Sequence, residues 1–248
     1  MKIKLMVSGL LVTLFCSTSL VAQEGPSVLR TWNCSVNSGF TMSEVAAFAR
    51  NIDWSEDVAP AARFFREAVA IPGEYQRDFD FQWADYYASW DDYIQTRVAQ
   101  RNRQFGPGGT LRLFDMISCD SKRNVFNVFQ GNVGEIFEGT ESTLMGVQYC
   151  QGRGATTAEA IARAVQVGQV IGVSSGVDQL LFGGPSNTGE DVGIRFATRY
   201  VFPNGESFAE RMDALRERAA DGAGVAYSGD ITCGTPGLWL SHRIHQEN

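Results

Sequence analysis

Residues 79–87, FDFQWADYY, and residues 192–200, VGIRFATRY, share one pattern. Large apolar side chains alternate with other residues in both stretches, at a constant offset of 113 from Phe81 to Ile194. A period of two is typical of a β-strand with one buried face. Each stretch therefore predicts a strand. The match also indicates that the second half of the chain is a degenerate copy of the first.

A strand and a helix start come earlier in each half. The stretches 29–36 and 144–150 alternate and are rich in strand formers, so each predicts a first strand. A Thr-x-x-Glu capping box follows in both halves, at 41–44 and at 156–159. We therefore expect a helix to begin at each box, the second one running to about Val170.

The remaining elements also recur in the same order. Turn signals end the second strands, and glycine-rich segments end the second helices. The predicted pairs are second strands at 63–71 and 177–182, second helices from Ser89 and Ser207, fourth strands at 111–119 and 225–233, and final strands at 125–129 and 238–244. Apolar stripes on the second helices, which we expect to pack on the core, comprise Trp90, Tyr93, Ile94 and Val98, and Phe208, Met212, Leu215 and Ala219.

The order strand, helix, strand, strand, helix, strand is the split βαβ arrangement of ferredoxin-like domains. Two such units in one chain resemble the dimeric α/β-barrel superfamily in its fused, tandem form. That group includes small cofactor-free monooxygenases, stress-response barrel proteins and polyketide cyclases. The resemblance implies an α+β fold in which two ferredoxin-like βαββαβ repeats, 28–131 and 143–245, pack sheet to sheet as a pseudo-dimeric α/β barrel. It carries no residue roles across.

Four cysteines recur at matching places in the two halves: Cys34, Cys119, Cys150 and Cys233. The repeat symmetry is satisfied by all three pairings of four cysteines. The predicted strands place the first and last core strands of each repeat side by side, which favours Cys34 with Cys119 and Cys150 with Cys233. Each bridge would stabilise the fold by about 4 kcal/mol in the chain-entropy model. A zinc site is the alternative, but the sequence has no CxxC pair.

Residues 1–22 have the layout of a cleavable secretory signal. Lys2 and Lys4 precede an apolar run, and small residues lead to Ala22. We expect a periplasmic or secreted protein; an uncleaved anchor is the alternative. Loss of the two lysines changes the formal net charge from −7 to −9. Such an acidic chain is poorly suited to nucleic acid or, after signal cleavage, to anionic membranes.

The third strand of the first repeat offers the richest set of candidate site residues. Asp85 shares its predicted face with aromatic rings, where burial would disfavour the charged carboxylate and make it a candidate proton acceptor. Tyr87 would donate a hydrogen bond to the substrate. The alternative is that Asp85 touches water or an arginine while the rings are core. If this face lines the space between the sheets, the ligand-binding residues are Phe81, Trp83, Phe196 and Tyr200.

Other features give weaker indications. Arg195 and Arg199 could hold an anionic ligand, or form a solvated or helix-facing pair bonded to acids. His242 and His245 would bind a metal only if the C-terminus were helical, so we expect no metal, and no cofactor motif is present. The loop from Asp53 to Pro60, with its exposed Trp54, would be an anchor in a binding module or a lid in an enzyme.

These patterns support two functions. The first is an exported, disulfide-stabilised protein that binds a small apolar or aromatic molecule in the cleft between its sheets, with acid/base chemistry at Asp85 in an enzymatic version. The second is a non-catalytic interaction module of the periplasm or cell surface, with a protein partner that the sequence does not identify. No catalytic motif decides between them.

Overall fold

The computed structural model describes residues 27–54, 59–71, 79–102, 110–131, 141–152, 162, 174–182, 194–202, 204–220 and 231–246. Nine strands and four helices have their bounds within these residues. The strands are β1 (Ser27–Val36), β2 (Ala62–Ala70), β3 (Phe81–Tyr87), β4 (Ile117–Gly131), β5 (Ser142–Gly152), β6 (Ser174–Phe182), β7 (Ile194–Phe202), β8 (Ile231–Cys233) and β9 (Gly237–Gln246). The helices are α1 (Met42–Arg50), α2 (Trp90–Asn102), α3 (Thr110–Met116) and α4 (Gly205–Ala220).

Eight strands pair antiparallel into a closed ring. Its order is β4–β1–β3–β2–β9–β5–β7–β6, and β6 pairs back with β4. The first half supplies β4–β1–β3–β2 and the second supplies β9–β5–β7–β6, while β8 pairs with β5 beyond the start of β9. Both halves have the strand order of a ferredoxin-like sheet. The α+β fold, a pseudo-dimeric barrel of two ferredoxin-like repeats, is therefore confirmed.

The start of α1 follows the capping box at Thr41. The Thr41 hydroxyl accepts the Glu44 N–H at 3.3 Å, and the Glu44 carboxylate accepts the Thr41 N–H at 2.8 Å. Gly39 turns the chain before the helix with a φ of +94°, a conformation that side chains disfavour. The box at 156–159 lies outside the described residues. The helix predicted to follow it also lies outside them, apart from Ala162, which is helical.

The sequence prediction was wrong for residues 111–116, which were expected to open the fourth strand. They form α3 instead, and the strand begins at Ile117 and runs through the predicted final strand to Gly131. Leu113 and Met116 are three residues apart, so they share one helix face. Both are buried in the same cluster as Val45 of α1. A short apolar run fits a strand or a helix equally well, and packing against α1 decides this one.

The apolar stripe of α2 was expected to face the core and does not. Trp90, Ile94 and Val98 are 37%, 55% and 52% exposed. The small Thr96 is buried instead, and Tyr93 contacts Tyr87 of β3 edge-on. In α4, by contrast, the described part of the stripe, Phe208 and Met212, packs on Tyr200 and Phe202 as predicted.

Both predicted disulfides are present. Cys34 is bonded to Cys119 at directly opposed positions of β1 and β4, and Cys150 is bonded to Cys233 at opposed positions of β5 and β8. The first bridge joins the first and last strands of the first repeat, and the second joins the first strand of the second repeat to the short strand β8. Among the described helices, none has the length and apolar character needed to cross a membrane.

Because successive strand residues point to opposite faces, the ring separates two groups of buried side chains. We call the face enclosed by the ring the barrel interior and the face under the helices the helix side. The interior cluster comprises Leu29, Ala62, Phe64, Ala68, Ala84, Tyr86, Met145, Val147, Ala197, Val201 and Trp239, from both halves of the chain. The helix side holds two further clusters, one under α1 and α3 and one under α4.

Candidate ligand-binding site

The predicted aromatic face of β3 lies on the helix side. Phe81 and Trp83 pack on Phe65, with ring centroids 5.0 and 4.8 Å apart, and belong to the cluster that includes Val45 of α1 and Leu113 of α3. The expectation that this face lines the space between the sheets is therefore wrong. The alternation was predicted correctly, but the larger rings pack under α1 and α3. The even-numbered residues of β3 face the barrel interior instead.

Tyr200 and Phe196 were predicted to complete that aromatic wall. Tyr200 is buried on the helix side with Phe202, against α4. Phe196 lies opposite Cys150 in the β5–β7 pairing, and its side chain lies outside the described residues. Tyr200 therefore packs under α4, whereas Phe81 and Trp83 pack under α1 and α3.

Asp85 forms a buried ion pair with Arg63. The Arg63 Nε donates to Oδ1 at 2.6 Å and Nη2 donates to Oδ2 at 3.0 Å. Trp83 Nε1 also donates to Oδ1, at 2.9 Å, and the Tyr87 hydroxyl to Oδ2, at 3.3 Å. An ionised carboxylate has about four acceptor sites. These four bonds fill them, so the geometry favours a structural role for Asp85 over proton transfer.

Tyr87 is also committed to this network. Burial raises the pKa of the Tyr87 hydroxyl above its usual range, and the negative charge of Asp85 raises it further. The hydroxyl therefore stays protonated and continues to donate to Asp85. Substrate binding by this group would require that bond to break.

The Arg63 guanidinium lies between two indole rings. Its carbon is 4.1 Å from the Trp54 ring centroid and 4.9 Å from that of Trp83, within cation–π range. Trp54 is half-buried, and its Nε1 donates to the Ala49 carbonyl at 2.9 Å. It is therefore not the exposed anchor that the sequence suggested. We call Arg63, Asp85, Trp54, Trp83 and Tyr87 the Arg63 cage.

His242 links three strands on the helix side. Its Nδ1 lies 3.0 Å from the Ser142 hydroxyl of β5, and its Nε2 lies 3.4 Å from the Glu67 carboxylate of β2. Burial lowers the pKa of His242, while Glu67 opposes that shift. Both ring nitrogens are thus engaged where the two halves meet. Among the described residues, no group of three or more His, Cys, Asp or Glu could hold a metal ion.

A line of polar residues crosses the barrel interior, on the face opposite the Arg63 cage. Gln82 is paired with Arg66, Arg66 with Ser241, and Ser241 with Thr143 in three successive strand pairings. Opposed residues of antiparallel strands point to the same face. With Asn33, which pairs with Gln82, they cross five adjacent strands. We call Asn33, Gln82, Arg66, Ser241 and Thr143 the polar row.

The centre of the polar row is deeply buried. Arg66, Thr143 and Ser241 are 2%, 1% and 0% exposed. Arg66 Nη2 donates to the Tyr86 hydroxyl, and the guanidinium carbon lies 5.4 Å from that ring. The Thr143 and Ser241 hydroxyls are buried without a hydrogen-bond partner. These two side chains therefore leave hydrogen-bonding capacity unused in the interior.

A second arginine reaches the same interior. Arg199 is buried on β7, and its Nη1 lies 3.8 Å from the Met145 sulfur in the interior cluster. This places one of the two arginines that the sequence singled out for an anionic ligand. The side chain of the other, Arg195, lies outside the described residues.

Aromatic rings surround the polar row. Phe64 meets Tyr86 edge-on with centroids 5.8 Å apart, and Trp239 stacks with Phe79 at 6.3 Å. Sequence analysis missed Arg66, Ser241 and Thr143 as site residues. The available signal was a polar residue beside apolar ones on one alternating face, as with Arg66 between Phe64 and Ala68. It becomes visible only once the strand registers align those positions.

No family model matches this sequence, and no curated protein matches it. Solved structures with similarity include a proposed monooxygenase from Fusobacterium nucleatum, at 10% identity and a TM-score of 0.49, covering 91% of this chain and 95% of that chain. An anthrone oxidase-like protein is 12% identical with a TM-score of 0.46, covering 91% of this chain and 97% of that chain. A dye-decolorizing protein from V. cholerae is 12% identical with a TM-score of 0.41, covering 88% of this chain and 94% of that chain. The fold assignment rests on the strand order of this chain.

Proposed function

We propose that this protein binds a small molecule with an aromatic or apolar body in the barrel interior, between its two sheets. One observation carries the proposal: the Thr143 and Ser241 hydroxyls are buried side by side without a partner. A buried polar group left unsatisfied costs about 1–3 kcal/mol, and native interiors keep few of them. Two such hydroxyls on adjacent strands indicate a binding site for a polar group of a ligand.

The surroundings of these hydroxyls suit a small organic ligand. Binding sites are mostly apolar, with a few placed polar groups that set orientation. Phe64, Tyr86 and Trp239 supply rings, and Met145 supplies a polarisable thioether. Because the interior cluster draws on both halves of the chain, the bound molecule would contact both sheets.

We assign Asp85 and Tyr87 to the support of β3 rather than to catalysis. The four hydrogen bonds on Asp85 and the bond that occupies the Tyr87 hydroxyl support this assignment. An enzymatic role for the pair would require an open acceptor site on the carboxylate. Asp85→Asn should therefore lower the midpoint of urea unfolding, and an unchanged midpoint would contradict the structural role.

We also propose that the protein is exported. Two disulfides support this, because such bonds persist in oxidising compartments. Residues 1–22, the predicted signal, lie outside the described residues. Intact-mass analysis of protein recovered from the periplasm or medium should give a chain that begins at Gln23. A full-length chain retained with the membrane would overturn the proposal.

The alternative function, a non-catalytic interaction module, is favoured by the exposed stripe on α2, which is Trp90, Ile94 and Val98. Exposed apolar patches often mark interaction surfaces. The double change Ile94→Glu and Val98→Glu should then abolish any concentration-dependent self-association seen in light scattering. A wild-type protein that remains monomeric up to about 1 mM would remove self-association as the use of this stripe.

The binding proposal is tested with the disulfide-intact protein in two steps. Native mass spectrometry after export reports any molecule that copurifies, and denaturation releases it for identification. A titration with 2-phenylethanol and phenylacetate then follows the tryptophan indole N–H signals by NMR. Trp239 reports on the interior and Trp90 on the surface; Trp239→Phe and Trp90→Phe assign the two signals.

The expected result is a saturable shift of the Trp239 signal with either probe while the Trp90 signal stays in place. The Ala197→Phe change, which adds a ring to the interior, should abolish the shift. Ala214→Phe on the exposed face of α4 is the matched control and should not. If no copurifying molecule is found and neither probe moves the Trp239 signal, the proposal is wrong.

A further inference from the structure

We propose that the molecule bound in the barrel interior carries a carboxylate, and that Arg66, Ser241 and Thr143 bind it. This inference rests on the proposed function and names the chemical class of its ligand: an aromatic monocarboxylate. It depends on the types of polar group in the row, their alignment across three strands and their burial.

The three side chains are aligned by strand pairing. Arg66 of β2 is opposite Ser241 of β9, and Ser241 is opposite Thr143 of β5. Adjacent strands lie about 4.8 Å apart, so the row spans about 10 Å from β2 to β5. All three side chains point into the interior, next to members of its cluster. A group placed over Ser241 is therefore within reach of both neighbours.

The polar groups in the row are mainly donors. A guanidinium has five N–H donors in a planar fork and no acceptor, and each hydroxyl has one O–H to donate. Arg66 already donates to the Tyr86 hydroxyl through Nη2. The Thr143 and Ser241 hydroxyls have no hydrogen-bond acceptor. A carboxylate brings two acceptor oxygens and no donor, so it suits these three side chains better than an alcohol or an amine does.

Electrostatics point in the same direction. Arg199 places a second guanidinium in the interior, where it contacts Met145 of the cluster. Two guanidinium groups therefore share the face enclosed by the ring, and each is able to donate to an anionic ligand.

The rings define the rest of the ligand. Tyr86 lies beside Arg66, and Trp239 lies two residues before Ser241 on β9. An aryl group attached to the carboxylate would contact these rings while its carboxylate reaches the row. A free inorganic anion would gain the polar contacts but not the aromatic ones. Ligand body and charge can therefore be tested separately.

The experiment compares phenylacetate with 2-phenylethanol, a neutral analogue of similar shape, by calorimetric titration of the intact protein. Acetate tests the charge without the ring. We expect phenylacetate to bind at least about tenfold more tightly than 2-phenylethanol, since hydrogen bonds to charged groups are the stronger ones. Acetate should bind more weakly than either.

The Arg66→Met change should remove the preference for phenylacetate and leave binding of 2-phenylethanol within about twofold. Arg112→Met, on the exposed face of α3, is the matched control and should keep the preference. If Arg66→Met does not fold, the double change Thr143→Val and Ser241→Ala serves in its place. It should weaken phenylacetate severalfold and spare 2-phenylethanol.

The outcomes separate this inference from the proposed function. Equal affinities for the two probes, or a preference that survives the substitutions in the row, would overturn the carboxylate assignment while interior binding stands. If neither probe binds or shifts the Trp239 signal, and no molecule copurifies, both proposals are wrong. A response to acetate as strong as that to phenylacetate would show an anion site without an aromatic ligand and would likewise reject the inference.

Discussion

Arg63 and Arg66 are three residues apart on β2, and both are 2% exposed, yet their surroundings are opposite in character. Arg63 faces the helix side and is bound by a carboxylate and two indole rings of its own chain. Arg66 faces the barrel interior, in line with the unpartnered Ser241 and Thr143 hydroxyls. The Arg63 charge is neutralised within the chain, although its Nη1 has no hydrogen-bond partner, whereas the polar row leaves two whole hydroxyl groups without one.

The difference shows how burial alone can mislead. Both arginines are equally hidden, so exposure cannot separate a supporting residue from a binding one. The chemistry of the neighbouring groups separates them. Acceptors beside a guanidinium bind it within the protein, whereas donors beside it favour an acceptor supplied by a ligand. Substitutions on the helix side should therefore change stability, and those in the polar row should change binding.

The largest expected effect is loss of the carboxylate in the Arg63 cage. Asp85→Ala leaves the Arg63 charge buried without its partner. We therefore expect the free energy of unfolding to fall by about 3–5 kcal/mol. Urea unfolding measures this. Asp213→Ala, which breaks an exposed pair with Arg216, is the control and should change little.

A double substitution sharpens the same point. Replacing the pair by Arg63→Met and Asp85→Leu should recover most of that loss, because no unpaired charge remains buried. If the double variant is no more stable than Asp85→Ala alone, the pair would have a further role, and its assignment to the scaffold would be wrong.

The next effect concerns the rings of the cage. Trp54→Leu removes a cation–π contact to Arg63 and the hydrogen bond to the Ala49 carbonyl. We expect a loss of about 2 kcal/mol in thermal or urea unfolding. Binding of 2-phenylethanol in the interior should not change. A loss of binding with unchanged stability would move Trp54 from the scaffold to the site.

A smaller effect of opposite sign is expected in the polar row. Thr143→Val keeps the shape and removes an unpartnered buried hydroxyl, so the ligand-free protein should gain about 1 kcal/mol. Thr198→Val is the control on the helix side. The Thr198 hydroxyl donates to the Gln148 carbonyl at 3.4 Å, so its removal should lower the free energy of unfolding. Equal losses in both variants would show that the row is an ordinary part of the core.

The smallest effect is a pH dependence on the helix side. Burial lowers the pKa of His242 below its usual 6.5, so the unfolded chain takes up a proton more readily than the folded one. Stability is then fully present above about pH 6.5 and declines as the pH falls below it. Urea unfolding at several pH values should show a shallower decline for His242→Gln. A wild-type protein that gains stability on acidification would contradict the assignment.

Several elements were predictable because their signals are local. The capping box at Thr41 specifies a helix start through contacts within four residues. The alternation in β3 follows from the backbone geometry of a strand. The cysteine pairing followed from strand order, since β1 lies beside β4 and β5 beside β8 in this fold.

The errors arose where a local pattern has two solutions. Residues 111–116 fit a strand or a helix, and the packing of Leu113 beside α1 selected the helix. The stripe of α2 has the right spacing for a buried face, but the buried residue of α2 is Thr96, and the contact with β3 is made by Tyr93 on Tyr87. The first outcome depends on α1, which is distant in the sequence, and the second on how α2 is oriented over the sheet.

By itself, the sequence determined the repeat and most of the order of strands and helices, because these depend on periodicity and on matching landmarks. It favoured one of three cysteine pairings, and the structure decided that pairing and the helix at 110–116. Only the tertiary structure decided which face of each strand is enclosed by the ring. Alternation defines two faces but does not say which is inside. Closure of the sheet through long-range pairing put the Asp85 face outward and aligned Arg66, Ser241 and Thr143 across the interior.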